Sequence, residues 1–107
     1  MPKVEGTYPH SMGEEQVVAA SRVAVAKLLD SFEGTDVDIV DDGKDNVGFS
    51  CKSRGFNISG KVFIKENKIN VVVNLPMLAM AFKGLVQAAM DKQIPKYLEA
   101  DNETTQS

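Results

Sequence analysis

Tryptophan is absent from this chain of 107 residues, and cysteine and histidine occur once each, as Cys51 and His10. A lone cysteine excludes an internal disulfide and fits a reducing compartment. One cysteine and one histidine also fall short of the clustered ligands a zinc site needs. Aromatic residues make up 7% of the chain, and only Phe63 falls on the polar phase of the strands, whereas platforms for single-stranded nucleic acids stack bases on several. The most apolar stretch, Val71 to Phe82, is interrupted by Asn74 and Pro76. It falls well short of the ~20 residues that cross a bilayer. The opening Met-Pro-Lys-Val-Glu-Gly lacks the apolar core of a signal peptide, so the expected location is the cytoplasm. No glycine-rich loop joins a strand to a helix, as a phosphate cradle requires.

What is present is ordinary globular material, 43% hydrophobic and 25% charged, enough for one core without staples. A net charge of −3 argues against a strong nucleic-acid binder. The charge is polarised along the chain. Asp30, Glu33, Asp36, Asp38, Asp41, Asp42 and Asp45 form an acidic stretch, and Lys52, Arg54, Lys61, Lys65 and Lys68 a basic one. Both read first as solvated faces.

Residues 1–10 contain two prolines and a glycine and read as an extended lead-in to a single domain over 11–100. Ser11-Met12-Gly13-Glu14 fits a capping box. Val18, Ser21, Val25, Leu28, Leu29 and Phe32 then share one side of a 3.6-residue wheel, which predicts an amphipathic helix over 14–33. Gly34 is placed to end it in a left-handed cap. The period next falls to two. Val37 and Ile39, then Val47, Phe49 and Cys51, then Ile58, Gly60, Val62 and Ile64, then Ile69, Val71, Val73 and Leu75 alternate with polar neighbours. Turns are expected at 42–45, 53–55 and 66–67. Connections this short demand antiparallel neighbours. Pro76 stops the last strand, and a second helix carries Phe82, Leu85, Val86 and Ala89, then Met90, Ile94 and Tyr97 on an offset stripe. Pro95 predicts a kink or break near 92–95. Residues 101–107 hold no apolar side chain and read as a disordered tail. The expected fold is α+β, ordered α-β-β-β-β-α, a four-stranded antiparallel meander with two helices packed on one face.

Tests for chemistry come back empty. Asp38-Ile39-Val40-Asp41-Asp42-Gly43 puts glycine where a calcium loop wants it. However, Val40 occupies a ligand position and Phe49 the place of the bidentate glutamate. Cys51 lies on the apolar phase of a strand and reads as a buried thiol rather than a nucleophile. His10 reads as a surface or capping residue. No enzymatic activity, no metal and no cofactor are expected.

Two surfaces remain as candidates. Ser50, Lys52, Asn57, Ser59, Lys61, Lys65, Asn70 and Asn74 should share the polar face of the sheet, with Phe63 and Val72 as exceptions. Lys52, Arg54, Lys61 and Lys65 are its candidate contacts for a polyanion, though a plain solvated face or one side of a homodimer is the stronger reading. The second surface is Leu75-Pro76-Met77-Leu78-Ala79-Met80-Ala81-Phe82. It reads first as core. Its alternative is an adaptable apolar binding surface carried by Met77, Leu78, Met80 and Phe82, because methionine conforms to irregular partners.

The segments Arg54-Gly55-Phe56, Gly60-Lys61-Val62, and Leu75 and Leu78 followed by Phe82-Lys83-Gly84 resemble the pattern of the polyhydroxyalkanoic acid system family. Pro9-His10-Ser11-Met12-Gly13 resembles the family's lead into its first helix. The resemblance spans most of 9–98, with Ala81 standing where the family often has proline. It implies a non-catalytic bacterial protein associated with polyhydroxyalkanoate granules or another apolar ligand or surface. Self-association as a homodimer is the alternative, and weak nucleic-acid binding a third reading.

Overall fold

The computed structural model of the chain describes residues 3–41 and 45–98. Five strands form one antiparallel sheet: β1 (Lys3–Pro9), β2 (Thr35–Asp41), β3 (Asn46–Ser53), β4 (Phe56–Ile64) and β5 (Lys68–Asn74). Helix α1 (Glu14–Ser31) follows β1, while a 3-10 helix (Met77–Phe82) and helix α2 (Lys83–Leu98) follow β5. The sheet order is β1-β5-β4-β3-β2. The fold is α+β, as the alternation of periods implies.

The lead-in is a fifth strand, where the sequence reading has only four. Val4 and Tyr8 are buried between exposed Lys3, Glu5, Thr7 and Pro9, the same period of two seen in the middle of the chain. Pro9 pairs with Lys68 at the end of the ladder, and an edge strand tolerates proline because one side of its backbone has no partner. By pairing with β5 in register from Lys3↔Asn74 to Pro9↔Lys68, β1 covers an edge the meander would leave open. The element order is therefore β-α-β-β-β-β-α.

One face of the sheet is dry. Val4, Tyr8, Val47, Phe49, Cys51, Ile58, Val62, Ile64, Ile69, Val71 and Val73 are buried against Val17, Ala24, Val25, Leu28 and Leu29 of α1 and against α2. The outer face keeps Lys52, Ser59, Lys61 and Phe63 exposed. Ser21 sits inside this core with a hydroxyl that has no hydrogen-bond partner among the described residues.

The ends of α1 differ from expectation at both sides. Gly13, not Ser11, precedes the helix, and no side chain caps it. Val17 N–H donates to the Gly13 carbonyl at 2.9 Å. The Met12 amide that a capping arrangement would leave open donates instead to His10 Nδ1 at 3.1 Å. At the other end the left-handed residue is Glu33, with φ 57°. Glu33 N–H donates to Asp30 and Gly34 N–H to Leu29, the paired bonds of a Schellman ending. Gly34 is needed for a different reason: a Cβ there would press on Cys51 Sγ and the Leu29 carbonyl, each at 3.0 Å.

Helix α2 runs unbroken through Pro95. The proline lies in its last turn, so little ladder remains beyond it to disrupt. Val86, Met90, Ile94 and Leu98 are its buried residues, a single line in steps of four that turns by about 40° per step. Val86 and Ala89 of the first stripe read from sequence join Met90, Ile94 and Tyr97 of the second on this side, while Leu85 stays exposed. The turn read at 42–45 falls largely outside the described residues, as does the whole tail at 101–107.

Candidate functional site

A cleft of about 250 Å³ opens where the β3–β4 hairpin, the end of α1, the 3-10 helix and α2 meet. Its apolar walls come from Phe32, Phe56, Ile58, Leu75, Phe82 and Val86, and Arg54 and Lys92 also line it. The hairpin brings Arg54 there. Only Arg54 and Gly55 separate β3 from β4, and both have positive φ, 55° and 84°. That is the two-residue turn whose twist matches paired strands. It lifts the Arg54 guanidinium over the Phe82 ring, 5.7 Å from its centroid. Phe56 stands 6.1 Å from Phe82, tilted by 57°.

The 3-10 helix sorts the apolar segment into two sides. With three residues per turn, positions three apart eclipse. Ala79 is buried and Phe82 half-buried on the cleft side. Met77, Leu78 and Met80 are 71%, 85% and 52% exposed, and Leu85 at the start of α2 is 54% exposed. The segment is thus not core as a whole.

The cations expected on the polar face are not gathered. Lys52 approaches Asp36 at 3.8 Å, Arg54 turns away to Phe82, and Lys61 and Lys65 stay on the outer strand face. The Lys65 carbonyl accepts from His10 Nε2 at 2.9 Å. With Nδ1 accepting from Met12, the proton of the neutral ring belongs on Nε2. His10 is buried, not on the surface, and staples the β4–β5 turn to the lead into α1, closer to the capping role that the sequence also allows. Cys51 packs beside Gly34 at the far end of α1, so the helix length, roughly 27 Å, separates it from His10. Burial pushes the Cys51 thiol up, which lowers its thiolate fraction.

A further polar contact went unread in the sequence. Tyr8 Oη donates to Asp91 Oδ1 at 2.8 Å, and Gln87 donates to the same oxygen at 3.1 Å. This bond fixes α2 over β1. Burial first, and then the Asp91 carboxylate, push the Tyr8 hydroxyl well above its ordinary value near 10. A phenol is neutral when protonated, so the folded chain holds this proton more tightly than the unfolded one. Stability from Tyr8 is complete below about pH 10 and falls as pH rises above it, because only the unfolded state ionises there. The expected slope is about 1.4 kcal/mol per pH unit. Urea denaturation of the wild type and Tyr8→Phe between pH 8 and 11.5 reads the difference, and parallel curves would sink the assignment.

The family model described as "Putative polyhydroxyalkanoic acid system protein (PHA_gran_rgn)" matches residues 5–98. The chain belongs to this family. The match takes in every element from inside β1 to the end of α2, and so the cleft and the exposed side of the 3-10 helix. No curated protein matches the chain. Among solved structures, DR_A0006 from Deinococcus radiodurans is similar with a TM-score of 0.63 at 11% identity, over 96% of this chain and 99% of that one. TTHA0849 from Thermus thermophilus reaches 0.45 at 14% identity, over 99% of this chain and 100% of that one. The first likeness is one of fold. Among the described residues no helix is long and apolar enough to cross a membrane.

Proposed function

We propose that this member of the polyhydroxyalkanoic acid system family is a non-catalytic protein that adsorbs to polyhydroxyalkanoate granules. The contact is the outward side of the 3-10 helix. The observation that carries this reading is the exposure of Met77, Leu78 and Met80 together on one short element. Burying a methionine or leucine side chain contributes roughly 1.5–3 kcal/mol, and a polyester surface supplies the apolar partner. The costs of association offset much of that sum, so adsorption is reversible and gains from many copies on one particle. Family membership favours this partner over other apolar surfaces, and a granule role carries a cytoplasmic location with it.

The competing readings have less behind them. Asp36, Asp38 and Asp41 line the free edge strand β2, and charges there oppose edge-to-edge pairing with a second copy. Nucleic-acid binding is disfavoured by the turning of Lys52 to Asp36 and of Arg54 to Phe82.

Co-sedimentation with washed polyhydroxybutyrate granules, at low and high salt and with albumin as competitor, tests the proposal. Retention is expected at both salts. The triple variant Met77→Ser, Leu78→Ser, Met80→Ser should remain in the supernatant with an unchanged melting midpoint, because none of the three is core. Undiminished retention of that variant, or elution of the wild type by salt alone, would falsify the contact.

A further inference from the structure

We infer that the cleft behind the 3-10 helix is a binding site for a free medium-chain alkanoate, an apolar tail ending in a carboxylate. The site is distinct from granule adsorption, which uses the opposite side of the same element, and either can fail without the other.

Size and lining select the tail. A dry cavity of ~150 Å³ accepts a six-carbon ring, so about 250 Å³ has room for roughly eight to ten carbons. Phe32, Phe56, Ile58 and Leu75 offer them only apolar contact. Ser31 and Ser53 also line the cleft, but their hydroxyls already donate, to the Leu28 and Phe32 carbonyls at 2.6 and 2.5 Å.

Charge selects the head. Arg54 and Lys92 line the cleft and no aspartate or glutamate does, in a chain with 15 acidic and 12 basic residues. Among the described residues neither cation is paired with a carboxylate. Arg54 lies over Phe82, which occupies a face of the guanidinium and leaves its edge of N–H donors to grip a carboxylate through two parallel bonds. Asparagine or glycine would hold φ 55° with less strain, so the turn alone does not call for arginine.

Isothermal titration calorimetry of the full chain with decanoate, decan-1-ol and decylammonium reads both halves of the site. Decanoate should bind, decanol about tenfold or more weakly for want of the charge-assisted bond, and decylammonium not at all. Arg54→Asn suits the turn and so retains the fold; it should weaken decanoate about tenfold without lowering the melting midpoint. Lys92→Gln should weaken it less, because lysine grips as a point charge. Ala89→Phe, which fills the cleft, should abolish binding. Equal affinity for decanoate and decanol, decanoate binding undiminished in Arg54→Asn or in Ala89→Phe, or no binding of decanoate by the wild type would each overturn the inference.

Discussion

Replacing Gly60 with alanine is expected to cost about 3 kcal/mol and to lower the melting midpoint by roughly 12–24 °C. Gly60 sits on β4 opposite Phe49 of β3 and Val73 of β5, in the inward phase set by Ile58 and Val62. The Phe49 ring lies over it, filling the space a side chain would take. A Cβ there would collide with both that ring and the Val72 carbonyl oxygen. The ring is a buried side chain hemmed in by the core, and the carbonyl belongs to the neighbouring strand's backbone, so neither yields cheaply. Gly48→Ala is the internal control. It lies on the adjacent strand, and the nearest atom to its added carbon is the Val40 carbonyl oxygen at 3.9 Å. Thermal and urea denaturation of the two variants should separate them widely. A Gly60→Ala protein as stable as Gly48→Ala would mean that the sheet adjusts at this point at little cost.

The same glycine shows where the sequence was legible and where it was not. Its place in the apolar phase of β4 follows from the period of two, and so do the neighbours Ile58, Val62 and Ile64. That a phenylalanine on the next strand fills its space is a tertiary fact with no local signature. β1 has the opposite history. Val4 and Tyr8 carry the alternation in plain view, but Gly6 and Pro9 resemble loop punctuation, and only the free edge of β5 gives that segment a reason to extend. At Gly6 the Tyr8 side chain occupies the vacant position, a second case of an aromatic ring covering a glycine.

The candidate site divides in the same way. Arg54-Gly55 marks a turn, and positive φ at both positions follows from a two-residue loop between strands. From strand phase alone Arg54 belonged with Lys52 and Lys61 on the polar face. A turn residue has no face, and its direction is decided by what it can reach, here the Phe82 ring. Met77, Leu78 and Met80 illustrate a limit of composition. Their apolar character argues for burial, but the tight helix between Pro76 and Lys83 has one inward side, and Ala79 and Phe82 take it. His10 is buried because two backbone groups near it, the Met12 amide and the Lys65 carbonyl, need partners. Nothing in its local sequence brings Lys65 near.

Ile94→Ala should produce the second large loss, about 2–5 kcal/mol, concentrated at the end of α2. Ile94 is fully buried and immediately precedes Pro95, the position where a following proline disfavours helical geometry. Proline also removes the amide that would bond to the Asp91 carbonyl. The last turn of α2 therefore gains little from its own backbone and is held by what it packs against, with Ile94 and Leu98 as the buried anchors. Removing the Ile94 side chain takes away that support as well as leaving a cavity. Two further results separate these contributions. Hydrogen exchange of the amides beyond residue 91 should accelerate more than that of β4 and β5, since the end of the helix opens before the sheet does. Pro95→Ala, by restoring an amide donor and relieving Ile94, should recover about 1 kcal/mol in the Ile94→Ala background. Uniform loss of protection across sheet and helix, with no recovery from Pro95→Ala, would mean that Ile94 acts as an ordinary core residue and that the helix end is stable on its own terms.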